Sequence, residues 1–112
     1  MRLRDFERLV DRALEGLPDW VVSSIDNLVV VVEDAPTEKQ GDLLGIYEGV
    51  ALDEREDYSG AMPDRIVIFR QPHVDMGLGP HELEAEIRKT VLHEIAHHLG
   101  IDDDRLAELG WD

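Results

Sequence analysis

Apolar residues recur every three or four positions in the first part of the chain, with arginine, aspartate and glutamate between them. The apolar positions are Leu3, Phe6, Leu9, Ala13 and Leu17. This spacing predicts an amphipathic helix that ends near Gly16 and Pro18, and we expect its apolar face to pack on the rest of the protein.

Three later segments carry β-strand patterns. Leu28–Val32 is apolar at every position, which predicts a central strand that is covered on both faces. Leu43–Val50 is a further candidate strand, and its glycines suggest bulges or the close approach of another backbone. After a charged loop at Asp53–Ser59, the pattern predicts a strand over Arg65–Arg70 that is ended by Pro72.

The helical pattern returns between Pro80 and Leu99, and Pro80 suits the first turn of a helix. The helix has apolar residues at four-residue intervals, and its second half has a wider apolar face: Leu83, Ile87, Val91 and Ile95, then Leu92, Ala96 and Leu99. We therefore expect the second half to be deeply buried. Gly100 can take the left-handed conformation that ends a helix, and Asp102–Leu109 predicts a last short helix.

Length and charge narrow the classes of protein to be considered. With 112 residues, the chain is predicted to be a single domain over 1–112. A formal net charge of −15 disfavours binding to nucleic acid and to anionic membranes. The N-terminal segment interleaves charged and apolar residues, and the longest aliphatic run, Leu28–Val32, is too short to span a bilayer. We therefore expect a cytoplasmic protein, and the sequence indicates no particular oligomeric state.

The residues of a metal site stand within the last predicted long helix. Cysteine is absent, so any metal must be held by histidine, aspartate or glutamate. His93 and His97 are four residues apart, roughly one helical turn, so both imidazoles project from the same face and can bind one ion. Glu94 is about 100° around the helix from His93, where its carboxylate can reach a metal-bound water without ligating the metal. The alternative for the two histidines is a hydrogen-bonded pair in the core.

The segment from His93 to Asp103, His-Glu-Ile-Ala-His-His-Leu-Gly-Ile-Asp-Asp, resembles the H-E-x-x-H-x-x-G-x-x-(H or D) motif of the zincin metallopeptidases, in its metzincin-like form. The chain is most similar to very short bacterial members of that group. The resemblance implies an α+β fold, with a small mixed β-sheet packed on an N-terminal helix and on a buried active-site helix that carries the motif. It also implies Zn2+ held by His93, His97 and Asp103, with Glu94 as general base in the hydrolysis of a peptide or protein substrate.

Two alternatives stay open beside this interpretation. Asp103 can instead be a helix cap or a solvated acid, and a neighbour in the run Asp102–Asp104 can be the third ligand. The residues after Asp103 contain no methionine, so the methionine-containing turn of larger metzincins has no counterpart there. Together with the acidic composition, this motivates the alternative function of a zinc-binding module that keeps the fold without turnover.

Other polar residues have less specific expectations. His98 is expected to support a ligand or to pack, because it lies about 100° from His97 on the helix. Glu86 and Thr90 project on the ligand face and can orient His93, or have plain surface or packing roles.

Two tyrosines and two further histidines outside the motif also have predicted roles or positions. Tyr47 and Tyr58 are candidates for a hydroxyl that stabilises an oxyanion. His73 and His81 are expected at the surface.

Overall fold

A computed structural model of the protein describes residues 1–41, 43–49 and 63–110, which form helices and a small sheet. The helices are α1 (Leu3–Glu15), α2 (Asp19–Ser24), α3 (Arg70–Val74), α4 (Pro80–His98) and α5 (Asp103–Leu109). The strands are β1 (Leu28–Glu33), β2 (Gly45–Glu48) and β3 (Asp64–Phe69). The predicted charged loop at Asp53–Ser59 lies outside the described residues.

The amphipathic N-terminal helix is confirmed as α1, which packs against α4. Its buried face consists of Phe6, Leu9, Val10 and Ala13, and Leu17 is buried just beyond the helix end. Leu3, at the start of the helix, departs from the prediction, because its side chain is 42% exposed. The helix ends at Glu15, directly before Gly16.

The strands form one mixed sheet with the order β1-β3-β2. β1 pairs with β3 in parallel, with Leu28 opposite Asp64, whereas β2 pairs with β3 in the antiparallel direction. The prediction that Leu28–Val32 is the central strand is therefore wrong, because β3 occupies that position and β1 lies at an edge of the described sheet. Val30 and Val32 pack against the core, whereas Val29 is exposed, so β1 is covered mainly on one face.

The second predicted strand is present but shorter, because β2 covers only Gly45–Glu48. The predicted close approach of another backbone to a glycine of this segment is confirmed at Gly45. A Cβ atom added to Gly45 would lie 2.9 Å from Thr90 Cγ2, 3.1 Å from the Val67 carbonyl oxygen and 3.4 Å from Glu94 Cγ. The absence of a side chain thus allows β2 to pack directly on β3 and α4.

Helix α3 follows β3 without a loop and was not predicted, since Pro72 was expected only to end the strand. It buries His73, so the expected surface position of this residue is wrong. The imidazole packs against Phe6, with ring centroids 5.5 Å apart, and its Nδ1–H donates to the Phe69 carbonyl oxygen at 2.7 Å. Both contacts are created by the turn that folds α3 back onto the core.

The long helix α4 confirms the prediction for Pro80–Leu99 within one residue, and Pro80 is in its first turn. Gly100 has a φ of +80° and reverses the chain, while the Ile101 N–H donates to the Ala96 carbonyl oxygen at 2.8 Å. α5 then begins at Asp103. The result is the expected small α+β domain with a mixed sheet packed on helices, and no helix in the described ranges has the length and apolar character needed to cross a membrane.

Candidate metal centre

Three side chains of α4 come together as the sequence predicted. One ligand atom from each of His93, Glu94 and His97 lies within 4.8 Å of the others. The two imidazole rings meet edge to face with centroids 4.8 Å apart, and His97 Nδ1 is 3.2 Å from Glu94 Oε1. Two imidazoles and a carboxylate at this distance can hold a metal ion.

Burial distinguishes the carboxylate of this group from the imidazoles. The Glu94 side chain is only 6% exposed, whereas that of His97 is 38% exposed. Burial raises the pKa of the Glu94 carboxyl above its ordinary value, and the charge of His93 opposes this rise. Glu94 is therefore a stronger base than a solvated glutamate, and it lies beside two imidazoles that solvent can reach.

The group lies in the wall of a cavity of about 620 Å³ between α4 and β2. One side of the cavity is the segment from Leu43 to Tyr47, and the other side is a stripe of α4: Glu86, Lys89, Thr90, His93, Glu94 and His97. A cavity of this volume is in the range that accommodates a small ligand or a short segment of chain.

Asp103 is the predicted site residue that the structure does not bring into this group. It is exposed and is the first residue of α5. The preceding Asp102 is the N-cap, and its Oδ1 accepts a hydrogen bond from the Arg105 N–H at 2.9 Å. Of the three successive acids, Asp102 is thus engaged in capping, whereas Asp103 presents its carboxylate to solvent.

His98, expected to support a ligand or to pack, is completely buried in a hydrogen-bond network. The Asp26 N–H donates to His98 Nε2 at 3.2 Å, so the ring proton is on Nδ1, which donates to Asp64 Oδ2 at 3.0 Å. The Tyr47 hydroxyl donates to the same oxygen at 2.5 Å. The network connects β2, β3 and the end of α4 directly behind the metal-binding group.

Asp64 is a residue that sequence reasoning missed, because an acid before an apolar run is usually the solvated flank of a strand. The Tyr47 ring lines the cavity, but its hydroxyl is directed to Asp64. The other tyrosine considered for an oxyanion role, Tyr58, lies outside the described residues.

Thr90 and Glu86, the other polar residues on the ligand face of α4, have different contacts in the structure. The Thr90 hydroxyl lies 3.0 Å from the Glu86 carbonyl oxygen and 2.9 Å from His73 Nε2, so it holds His73 and not His93. Glu86 lines the cavity without a hydrogen bond to His93 among the described contacts. His81 is exposed, as predicted.

Comparisons with known proteins give a similar fold and a matching family. A solved structure of a conserved hypothetical protein from Thermus thermophilus is 23% identical, with a TM-score of 0.58 over 99% of this chain and 100% of that chain, which shows a shared fold. No curated protein sequence matches significantly. A family model described as zincin-like metallopeptidase matches residues 25–111, which include the sheet and the whole of α4. The chain therefore belongs to the zincin-like metallopeptidase family.

Proposed function

We propose that this protein is a zinc-dependent metallopeptidase in which His93 and His97 bind the metal and Glu94 is the general base. The observation that carries the proposal is the position of two accessible imidazoles and a buried carboxylate in the wall of one cavity. Membership of a family of metallopeptidases supports the same reaction class.

The donor set fits zinc. Imidazole nitrogen and carboxylate oxygen are ordinary zinc ligands, whereas calcium and magnesium prefer sites made of oxygen. Asp103 is the proposed third ligand, because it takes the corresponding position of the extended motif and Asp102 is already used as a helix cap. Binding then requires its exposed carboxylate to turn towards the two histidines.

Glu94 is suited to move a proton in both halves of the reaction. When bound, zinc supplies a Lewis acid that polarises the substrate carbonyl and lowers the pKa of water. The raised pKa of the Glu94 carboxyl favours uptake of a proton from the attacking water. The same carboxyl then donates that proton to the amine that leaves when the peptide bond breaks.

The substrate is proposed to be an extended peptide that lies along β2. In the described part of the sheet, β2 pairs with β3 on one side only, and the cavity lies against this strand. Backbone groups at a strand edge can pair with an added strand, which gives affinity that does not depend on side-chain sequence. Side chains of the peptide would enter the cavity between β2 and α4.

The test combines metal content with cleavage of a diverse peptide library by the purified chain. We expect one zinc per chain, loss of zinc in His93→Ala and His97→Ala, and cleavage that disappears with chelator and in Glu94→Gln. His81→Ala is the matched control, because this histidine is on the same helix but exposed and outside the metal-binding group. If the chain at full zinc occupancy cleaves no member of the library, the peptidase proposal is wrong and the non-catalytic binding module replaces it.

A further inference from the structure

Lys89 lies in the wall of the cavity, one helical turn before His93. Four residues of α-helix rise about 6 Å, so a flexible lysine at this position can reach a group close to the metal-binding histidines. Apart from the two histidines, it is the only basic side chain among the described residues that line this cavity.

The ammonium of Lys89 has no carboxylate partner in the described part of the chain. Some other cations of this acidic protein do have such partners: Arg65 pairs with Glu33 and Glu48, and Arg70 with Asp34. Glu86 precedes Lys89 by three residues and lines the same cavity, yet no ion pair joins them. A ligand that enters the cavity therefore meets a cation that no carboxylate of the described residues neutralises.

The direction of β2 indicates which part of a bound peptide would meet Lys89. At the start of the strand, Gly45 contacts Thr90 and Glu94, whereas Tyr47, further along, reaches the end of α4 at His98. A peptide that pairs in the antiparallel direction, which is slightly the more stable arrangement, runs opposite to β2. Its C-terminal part then passes the segment before Gly45 and the Lys89 end of the cavity.

We infer that Lys89 is a specificity-determining residue that binds a carboxylate on the C-terminal side of the cleaved bond. The inference rests on the proposed function, because it assumes that a peptide lies along β2. Two sources carry this chemistry, namely the C-terminal carboxylate of a short peptide and the side chain of an aspartate or glutamate. Lys89 is exposed, and a bound peptide that covers it together with the apolar residues Leu43, Leu44 and Ile46 would displace water and strengthen the ion pair.

The binding experiment uses metal-free wild-type protein, so that it needs neither zinc nor turnover. Three fluorescein-labelled peptides share one apolar sequence: one ends in a free carboxylate, one is amidated, and one is amidated with a single glutamate in place of glutamine. We expect fluorescence anisotropy to give about tenfold tighter binding of a carboxylate peptide than of the neutral amide. A preference for the first peptide alone identifies the C-terminal carboxylate, and a preference for the third identifies the side chain.

The variants connect that preference to Lys89. Lys89→Ala should abolish the difference between charged and neutral peptides, and Lys89→Glu should reverse it. Lys39→Ala is the control, since Lys39 is the chain's other lysine and is exposed outside this cavity. The inference is overturned if the wild type binds none of the peptides, binds all equally, or keeps its preference in Lys89→Ala.

A cleavage assay separates the two proposals. On a peptide that the zinc-loaded protein cuts, Lys89→Ala should raise KM for the carboxylate form about tenfold, with a smaller change for the amide. Absence of cleavage by the wild type contradicts the peptidase proposal but leaves the anisotropy contrast readable. Cleavage with no effect of Lys89 on either peptide contradicts only the specificity inference.

Discussion

Asp64 and His98 form a buried hydrogen bond, with Oδ2 and Nδ1 3.0 Å apart and the two side chains 2% and 0% exposed. Asp64 begins the central strand, and His98 directly follows the proposed ligand His97. The contact therefore anchors the end of the metal-binding helix to the middle of the sheet. Because the Tyr47 hydroxyl shares the same carboxylate oxygen, the strand at the cavity edge is held by the same group.

Removing one partner of this network should destabilise the protein. Tyr47→Phe deletes a hydrogen bond to a buried carboxylate and should lower the free energy of unfolding by about 1.5–3 kcal/mol. Asp64→Ala leaves two donors, the His98 Nδ1–H and the Tyr47 hydroxyl, without their acceptor and should cost about 2–6 kcal/mol. Urea unfolding of the metal-free protein measures both. Arg105→Ala, which removes an exposed ion pair with Glu108, should cost under about 1 kcal/mol, and equal costs for all three variants would contradict a structural role for the network.

His73 should make the protein sensitive to mild acid. Burial lowers the pKa of its imidazole, against the opposing effects of the hydrogen bond to Phe69 and the charge of Glu86. A depressed folded-state pKa means that stability is complete above the unfolded value of 6.5 and falls as the pH drops below it towards the folded pKa. Thermal melts of metal-free protein should show this loss in the wild type and in His81→Gln, but a smaller loss in His73→Gln. An unchanged pH profile in His73→Gln would show that the loss has another origin.

Glu94 should have the opposite effect in the metal-free protein. Its pKa is raised by burial, so the protonated form favours folding, and this contribution is complete below the ordinary value of 4.5 and lost as the pH rises through the folded pKa. The glutamine in Glu94→Gln does not ionise. The variant should therefore be more stable than the wild type at pH values above the folded-state pKa of Glu94, and the stabilities of the two proteins should become similar in acid. Melting temperatures in chelator from about pH 4 to about pH 8 measure the difference. A variant that is less stable at every pH would mean that ionised Glu94 supports the fold.

A side chain at position 45 should destabilise the protein. A methyl group would lie 2.9 Å from Thr90 Cγ2 and 3.1 Å from the Val67 carbonyl oxygen, so Gly45→Ala should cost about 1–3 kcal/mol and displace β2 from Glu94. Urea unfolding and zinc titration should both show the effect. Gly16→Ala is the matched control, because its added methyl would meet the flexible end of Arg88 at 3.4 Å and the Arg12 carbonyl oxygen at 3.6 Å, both ordinary contact distances, and should change stability much less. Equal stability of the two variants would show that β2 can move without cost.

The three aspartates before and within α5 should differ in their effect on zinc. Asp102→Ala removes the N-cap and should cost about 1 kcal/mol of stability, with zinc affinity largely kept. Asp103→Ala should weaken zinc binding by more than the roughly 10–100-fold typical of losing a supporting partner. Asp104→Ala is the control, with little change in either quantity. If zinc affinity falls in Asp102→Ala or Asp104→Ala instead, the third ligand is that neighbour.

Local patterns were sufficient for α1, α4 and α5 and for the group of two histidines and a glutamate in the site, whereas the short helices α2 and α3 were not predicted. The four-residue interval of Leu83, Ile87, Val91 and Ile95 predicted α4, and the same helical period brought His93, Glu94 and His97 together. The reason is that residues three or four apart in a helix share a face whatever the rest of the chain does. Lys89 was also within reach of this argument, because it precedes His93 by one turn.

The strand order and the network behind the site were decided by tertiary structure alone. Leu28–Val32 is more uniformly apolar than β3, yet it lies at the edge, because strand order depends on pairing between segments far apart in sequence. The same applies to Asp64, His98 and the buried His73, whose partners come from other elements. Periodicity in the sequence determines which face of an element is apolar, but only the packed fold determines which polar groups are buried together, since their hydrogen bonds must replace those lost to water.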